Sequence, residues 1–221
     1  PTGGEAVAVA GRYAYVAYVN DGLQVVDVGN PASPVLVGSL DTGYWAYDVA
    51  VDWPLVFVAG VIPALAIVDV SDPAAPTLVG SYSYGSSQYG VTVDGDRVYL
   101  AGGSEGLRCL DVTDPAAPVL LGAHATPGSA MAVAASGDFA FVADLNNGVH
   151  AFDVSDPANP VMLGSYALPP YVYGLTLDGD HVFAAAGHTS GLQVLRAFQR
   201  SLDVDRNRGQ SLDLASREES I

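Results

Sequence analysis

Val68-Asp-Val-Ser-Asp-Pro-Ala-Ala-Pro-Thr-Leu-Val-Gly80 decides the fold, because the chain carries it four times. It returns as Val26-Asp-Val-Gly-Asn-Pro-Ala-Ser-Pro-Val-Leu-Val-Gly38, as Leu110 to Gly122 and as Phe152 to Gly164. The acidic residues Asp27, Asp69, Asp111 and Asp153 stand 42 residues apart each time. A fixed period of this length means one supersecondary unit stacked several times, since a single unit cannot bury its own apolar face.

Working outward, each period divides into four apolar-alternating segments. In the third they are Gly90-Val-Thr-Val-Asp94, Arg97-Val-Tyr-Leu-Ala101, Leu107-Arg-Cys-Leu-Asp-Val112 and Val119-Leu-Leu-Gly-Ala-His124. Alternation over four to six residues, rich in Val and Tyr, is the strand signature, and none is long enough for a helix. Asp94-Gly95-Asp96 reads as a tight hairpin whose glycine supplies a positive φ, and Gly11, Gly137 and Gly179 hold the same position. The second unit has Trp53-Pro54 there, so its turn must differ. The two prolines of Asp-Pro-Ala-x-Pro make a stiff connector between segments three and four.

Four antiparallel strands every 42 residues predict an all-β chain, a β-propeller of about five blades. The units run over residues 5–46, 47–88, 89–130, 131–172 and 173–198, within a propeller expected over 1–198. Five units suit a closed five-bladed ring, which is favoured, or part of a six- or seven-bladed one. A parallel β-solenoid is the competing stack, but it needs no Asp-Gly-Asp hairpins. The fifth unit keeps Gly191-Leu-Gln-Val-Leu195, but Arg196 replaces the recurring Asp and the Asp-Pro loop is gone. Residues 199–221 read as a linker or the start of a following module. The missing initiator Met suggests a piece of a longer protein.

Leu23-Gln-Val-Val-Asp-Val28, Leu65-Ala-Ile-Val-Asp-Val70 and Leu107-Arg-Cys-Leu-Asp-Val112, each followed by the Pro-rich loop, resemble the LVIVD-repeat family. Tyr13-Ala-Tyr-Val-Ala17 and Phe139-Ala-Phe-Val-Ala143 fit its pattern too. The resemblance implies a β-propeller of bacterial secreted or cell-surface proteins, usually without assigned chemistry, and hence an extracellular or surface location.

Composition narrows the partners. The 221 residues are half apolar, only 14% are charged, and the formal charge is −16. A field of that sign repels phosphate backbones, so no nucleic-acid partner is expected. No apolar run reaches 18 residues, so no membrane span is expected. A monomer is favoured, and a protein, peptide or glycan partner fits. The single cysteine, Cys109, lies in an apolar strand and reads as a buried, inert thiol.

No P-loop, GxGxxG or HExxH is present, and Gly102-Gly103-Ser104-Glu105-Gly106, which spells Gly-x-Ser-x-Gly, is a loop between two strand segments and not the strand-to-helix elbow of a nucleophile. Asp27, Asp69, Asp111 and Asp153 are read as structural, each accepting turn N–H groups, because one active site does not need four copies. Asp203-x-Asp205-x-Asn207 resembles the opening of a calcium loop, but Arg208 and Leu214 stand where Gly and Glu belong. Apart from calcium on that pattern, no cofactor is expected.

In a propeller, the loops between blades and those between strands two and three open on one face. That face collects residues that do not repeat, among them Gln88 and the candidate ligand-binding set Tyr18, Tyr44, Trp45, Tyr47, Tyr89, Asn146, Tyr171, Tyr173 and His188. Register places Glu5, Tyr47, Tyr89, Met131 and Tyr173 around the mouth of the central channel. Aromatics with polar tips bring large contact area at low entropy cost. The expected role is a non-catalytic module, a scaffold or a binder of a peptide, glycan or adjacent domain. The alternative is a metal-dependent hydrolase or lyase with a cation held in the channel by Glu5 and Asp48.

Overall fold

The alternating segments all form strands. In the computed structural model, which describes residues 3–168, 171–187 and 191–196, nineteen strands group into five antiparallel sheets. Blade one is β1 (Gly4–Ala10), β2 (Tyr13–Tyr18), β3 (Gly22–Asp27) and β4 (Val35–Leu40). Blade two is β5 (Tyr44–Asp52), β6 (Leu55–Ile62), β7 (Leu65–Asp69) and β8 (Thr77–Tyr82). Blade three is β9 (Gly90–Asp94), β10 (Arg97–Ala101), β11 (Leu107–Asp111) and β12 (Val119–His124). Blade four is β13 (Ala130–Ser136), β14 (Phe139–Asp144), β15 (Gly148–Asp153) and β16 (Val161–Tyr166). The fifth sheet has three described strands, β17 (Val172–Asp178), β18 (His181–Ala186) and β19 (Gly191–Arg196). Within every sheet, neighbours in sequence are neighbours in space. The five form a propeller-like ring whose innermost strands surround a common cavity.

Turn chemistry sets the hairpins. Gly11, Gly95, Gly137 and Gly179 take φ of 59°, 57°, 59° and 58°, the left-handed region that a glycine enters without penalty. In blade two the turn runs through Trp53–Pro54, whose peptide bond is cis. Each third strand ends on its Asp. The carboxylates of Asp27, Asp69, Asp111 and Asp153 accept the N–H two residues on, at 2.9, 2.7, 2.8 and 2.9 Å. The following acid repeats the device: Asp72, Asp114 and Asp156 accept the N–H of Ala74, Ala116 and Ala158 at 3.0, 3.0 and 3.1 Å. Two nested turns therefore hold each Pro-rich loop without help from a neighbouring strand.

That loop also locks blades together. A Cβ on Gly38 would strike the carbonyl oxygen of Pro73, one on Gly80 that of Pro115, and one on Gly122 those of Pro157 and Ala158. The outer-strand glycine of one blade thus lies directly beneath the Asp-Pro loop of the next.

The core sits between blades, because both faces of each interior sheet are covered. Tyr15, Leu23 and Val25 of blade one pack on Val49, Val56 and Val68 of blade two. Phe57, Leu65 and Ile67 meet Val91, Val98 and Leu110. Tyr99, Leu107 and Cys109 meet Val133, Val142 and Phe152, and Phe141, Val149 and Ala151 meet Val172, Val182 and Leu195. Cys109 is fully buried, and that burial pushes its thiol up to about 12, which removes the reactive thiolate. No helix among the described residues is long and apolar enough to cross a membrane.

Candidate functional site

A local irregularity in the innermost strands builds the site. In β1, β5, β13 and β17 the register slips at Glu5, Tyr47, Met131 and Tyr173, each skipped between two paired residues. A bulge re-aims the side chain it carries. Glu5, Tyr47, Met131 and Tyr173, with Tyr89 just before β9, line the central cavity of about 510 Å³. Tyr47 and Tyr89 have ring centroids 5.1 Å apart, and Trp45 lies 6.5 Å from Tyr47. On blade five, Tyr171 stacks 6.3 Å from Tyr173. Burial, with the nearby Tyr89 and Glu5, holds the Tyr47 phenol above its ordinary range, so it stays a donor at neutral pH.

Trp45 and Tyr171 occupy the same place in the repeat, three periods apart, and both adopt left-handed backbone with φ of 53° and 77°. The other units have Gly3, Ser87 and Ser129 there. A bulky residue at positive φ costs of order 1 kcal/mol and persists only where its surroundings hold it. Both rings are exposed, Trp45 at 49% and Tyr171 at 38%. An aromatic-x-Tyr pair, one ring outside and one at the channel mouth, therefore marks blades two and five.

The remaining predicted residues are spread around the ring. Tyr18 ends β2, half-buried, and Asn146 is exposed between β14 and β15. Tyr44 opens β5, and His188 lies outside the described residues, as do Asp203, Asp205 and Asn207. Gln88, expected on the loop face, is wholly buried instead, its Nε2 donating to Ser86 O at 3.2 Å.

Glu5 and Asp48 both border the cavity. Asp48 Oδ2 accepts the N–H of Val91 at 2.8 Å and Oδ1 that of Val49 at 2.9 Å, so the carboxylate ties blade two to blade three. Burial pushes its carboxyl up to about 6, against the pull of those two N–H groups. Among the described residues no three His, Cys, Asp or Glu side chains converge as metal ligands would.

Two buried polar groups escaped the sequence reading. Arg108, in the middle of β11, stacks its guanidinium 3.5 Å above Tyr84 and pairs with Glu105 at 3.2 Å. His150, at the same repeat position one blade on, bonds Asp144 Oδ2 at 3.0 Å and Ser165 Oγ at 2.7 Å. Asp144 also accepts the N–H of Gly128 at 2.8 Å. The order Ser–His–Asp resembles a proton relay, but His150 and Asp144 are sealed between blades and tie an interblade loop to the sheet. The signal was a polar residue at a third-strand position that is Ala66 in blade two.

The family model described as LVIVD repeat matches residues 3–42, 45–83, 85–126 and 127–167, the first four blades. Among curated proteins none matches in sequence. Among solved structures, the chain is similar to the computationally designed Ika8 protein, with TM-score 0.70 and 12% identity over 95% of this chain. It spans 60% of that protein's length. It is similar to a chain of a nidogen/laminin complex, with TM-score 0.68, 11% identity, and 89% and 76% of the two chains covered. The designed Ika4 protein gives TM-score 0.59 and 12% identity, over 72% of this chain and 96% of that one. At such identities the likeness is one of fold.

Proposed function

Because this chain belongs to the LVIVD repeat family, we propose that it is a non-catalytic propeller module of a secreted or cell-surface protein, binding through its aromatic loop face. The observation that carries this reading is the pair of aromatics held at positive φ, Trp45 and Tyr171. Backbone strain at the same place in two blades, where the other units carry small residues, is unnecessary for a ring that only has to close. The ligand that suits the surface is uncharged or cationic and extended: a peptide, a glycan or a loop of an adjacent domain. Exposed rings beside phenol donors favour such ligands, and the net charge of −16 disfavours anionic ones. One similar fold was solved in a nidogen/laminin complex, which agrees with a propeller serving as a binding module, at the level of fold alone.

The test is a screen of the 221-residue chain on peptide and glycan arrays, followed by titration of any hit against the Tyr47→Ala/Tyr89→Ala variant. Removing two of the clustered rings should weaken binding at least about tenfold. Undiminished binding by a folded double variant would sink the assignment.

A further inference from the structure

Among the described residues, the five blades share four interblade cores, and no fifth core joins blade five to blade one. Val7 of β1 occupies the position of Val49, Val91 and Val133, all of which are buried against the preceding blade. Val49 is 6% exposed; Val7 is 63% exposed, and its strand neighbour Val9 is equally bare. At the other side, Leu192 and Val194 of β19 occupy the positions of Leu23 and Val25, which are fully buried against the following blade. Leu192 is 62% exposed. Neighbouring innermost strands pack together from β1 through β5, β9, β13 and β17, and no comparable contact among the described residues joins β17 back to β1.

A second, independent feature agrees. The Pro-rich loops of blades two, three and four sit on the outer-strand glycine of the preceding blade, and Pro76 and Pro160 are buried there. The corresponding loop of blade one, Pro31 to Pro34, is exposed throughout. It is built to cap a glycine strand that no described residue supplies.

We propose that the seam between blade five and blade one seats at least one further blade of the same repeat, carried by the same polypeptide. Its chemistry follows from the two faces it must cover. Towards Val7 and Val9 it presents the aromatic-x-Ala and Leu-x-Val pattern of Tyr15, Ala17, Leu23 and Val25, with an outer-strand glycine under Pro31–Pro34. Towards Leu192 and Val194 it presents the Val-x-Val pattern of a blade's leading face.

Thiol labelling tests it. Cys109 is fully buried, so Val7→Cys adds the one reactive thiol, and Val9→Cys serves as a second reporter. Each is made in the 221-residue chain and in a chain extended by a copy of the cysteine-free residues 45–86 joined to Gly3, one full period ahead of blade one. Maleimide should react rapidly with the Val7→Cys variant of the unextended chain and at least about 100-fold more slowly with the same variant of the extended one, whose melting temperature should rise. Three results would overturn the proposal. Protection of the introduced thiol in the monomeric unextended chain would mean that blade five seals the seam itself. Protection that grows with protein concentration, with dimers by light scattering, would make a second copy the occupant. Undiminished labelling in a folded extended chain would mean that the face does not accept such a blade.

Discussion

Asp48 shows how one substitution in a repeat creates a pH-sensitive joint. Its equivalents are Ala6, Gly90, Ala132 and Gly174, so this carboxyl interrupts an apolar row. It is retained because Val91 and Val49 donate to it, yet burial still favours its protonated form, up to about 6. The folded chain therefore holds this proton more tightly than the unfolded chain. Its contribution to stability is complete below the ordinary value of 3.8 and is lost as pH rises to about 6. The stability of wild type relative to Asp48→Asn should fall across that window, by at most about 3 kcal/mol, and stay level outside it. Chemical denaturation of both proteins between about pH 3 and 8 measures the difference, and parallel curves would remove the role. Asp27, Asp69 and Asp111 are held below the usual carboxylate range, by Arg12, by the Ser71 N–H and by the Thr113 hydroxyl respectively, and cancel in the comparison.

At the scale of the element, the Asp-Pro loop is more than a connector. Its nested turns make it rigid on its own, and its backbone lies on a glycine of the blade before. Gly80→Ala would drive a methyl group into Pro115 and Ala116, which can move only by opening the joint. The expected loss is about 1–3 kcal/mol, a fall in melting temperature of roughly 3–10 °C. Gly85→Ala is the control, since nothing lies within 4 Å of the added carbon. Equal melting temperatures for the two variants would show that the loop yields freely. The strands, the hairpin glycines and the stiffness of this loop were all legible from alternation and turn chemistry. Its partner glycine was not, because the contact crosses from one period to the next and leaves no local pattern.

For the whole molecule, stability is distributed blade by blade. Each interior blade is covered on both faces, whereas among the described residues blades one and five are each covered on one. In such nearest-neighbour stacks the terminal units open first. Amides of β10 and β11 should therefore exchange at least about tenfold more slowly than those of β2 or β18 in hydrogen-exchange mass spectrometry. Uniform protection around the ring would contradict the four-core arrangement. The sequence by itself determined the all-β class, the four-strand unit, its period and the family, because those depend on alternation and spacing within one repeat. It also pointed to the aromatic residues that break the pattern. Only the tertiary structure decided which of them meet: the bulges that turn Tyr47 and Tyr173 to the channel, the positive φ of Trp45 and Tyr171, and the burial of Arg108, His150 and Asp144. It alone decided that, among the described residues, the first and last blades keep bare faces. The physical reason is the same throughout, since burial in a propeller is a property of the joint between two units and no single repeat contains it.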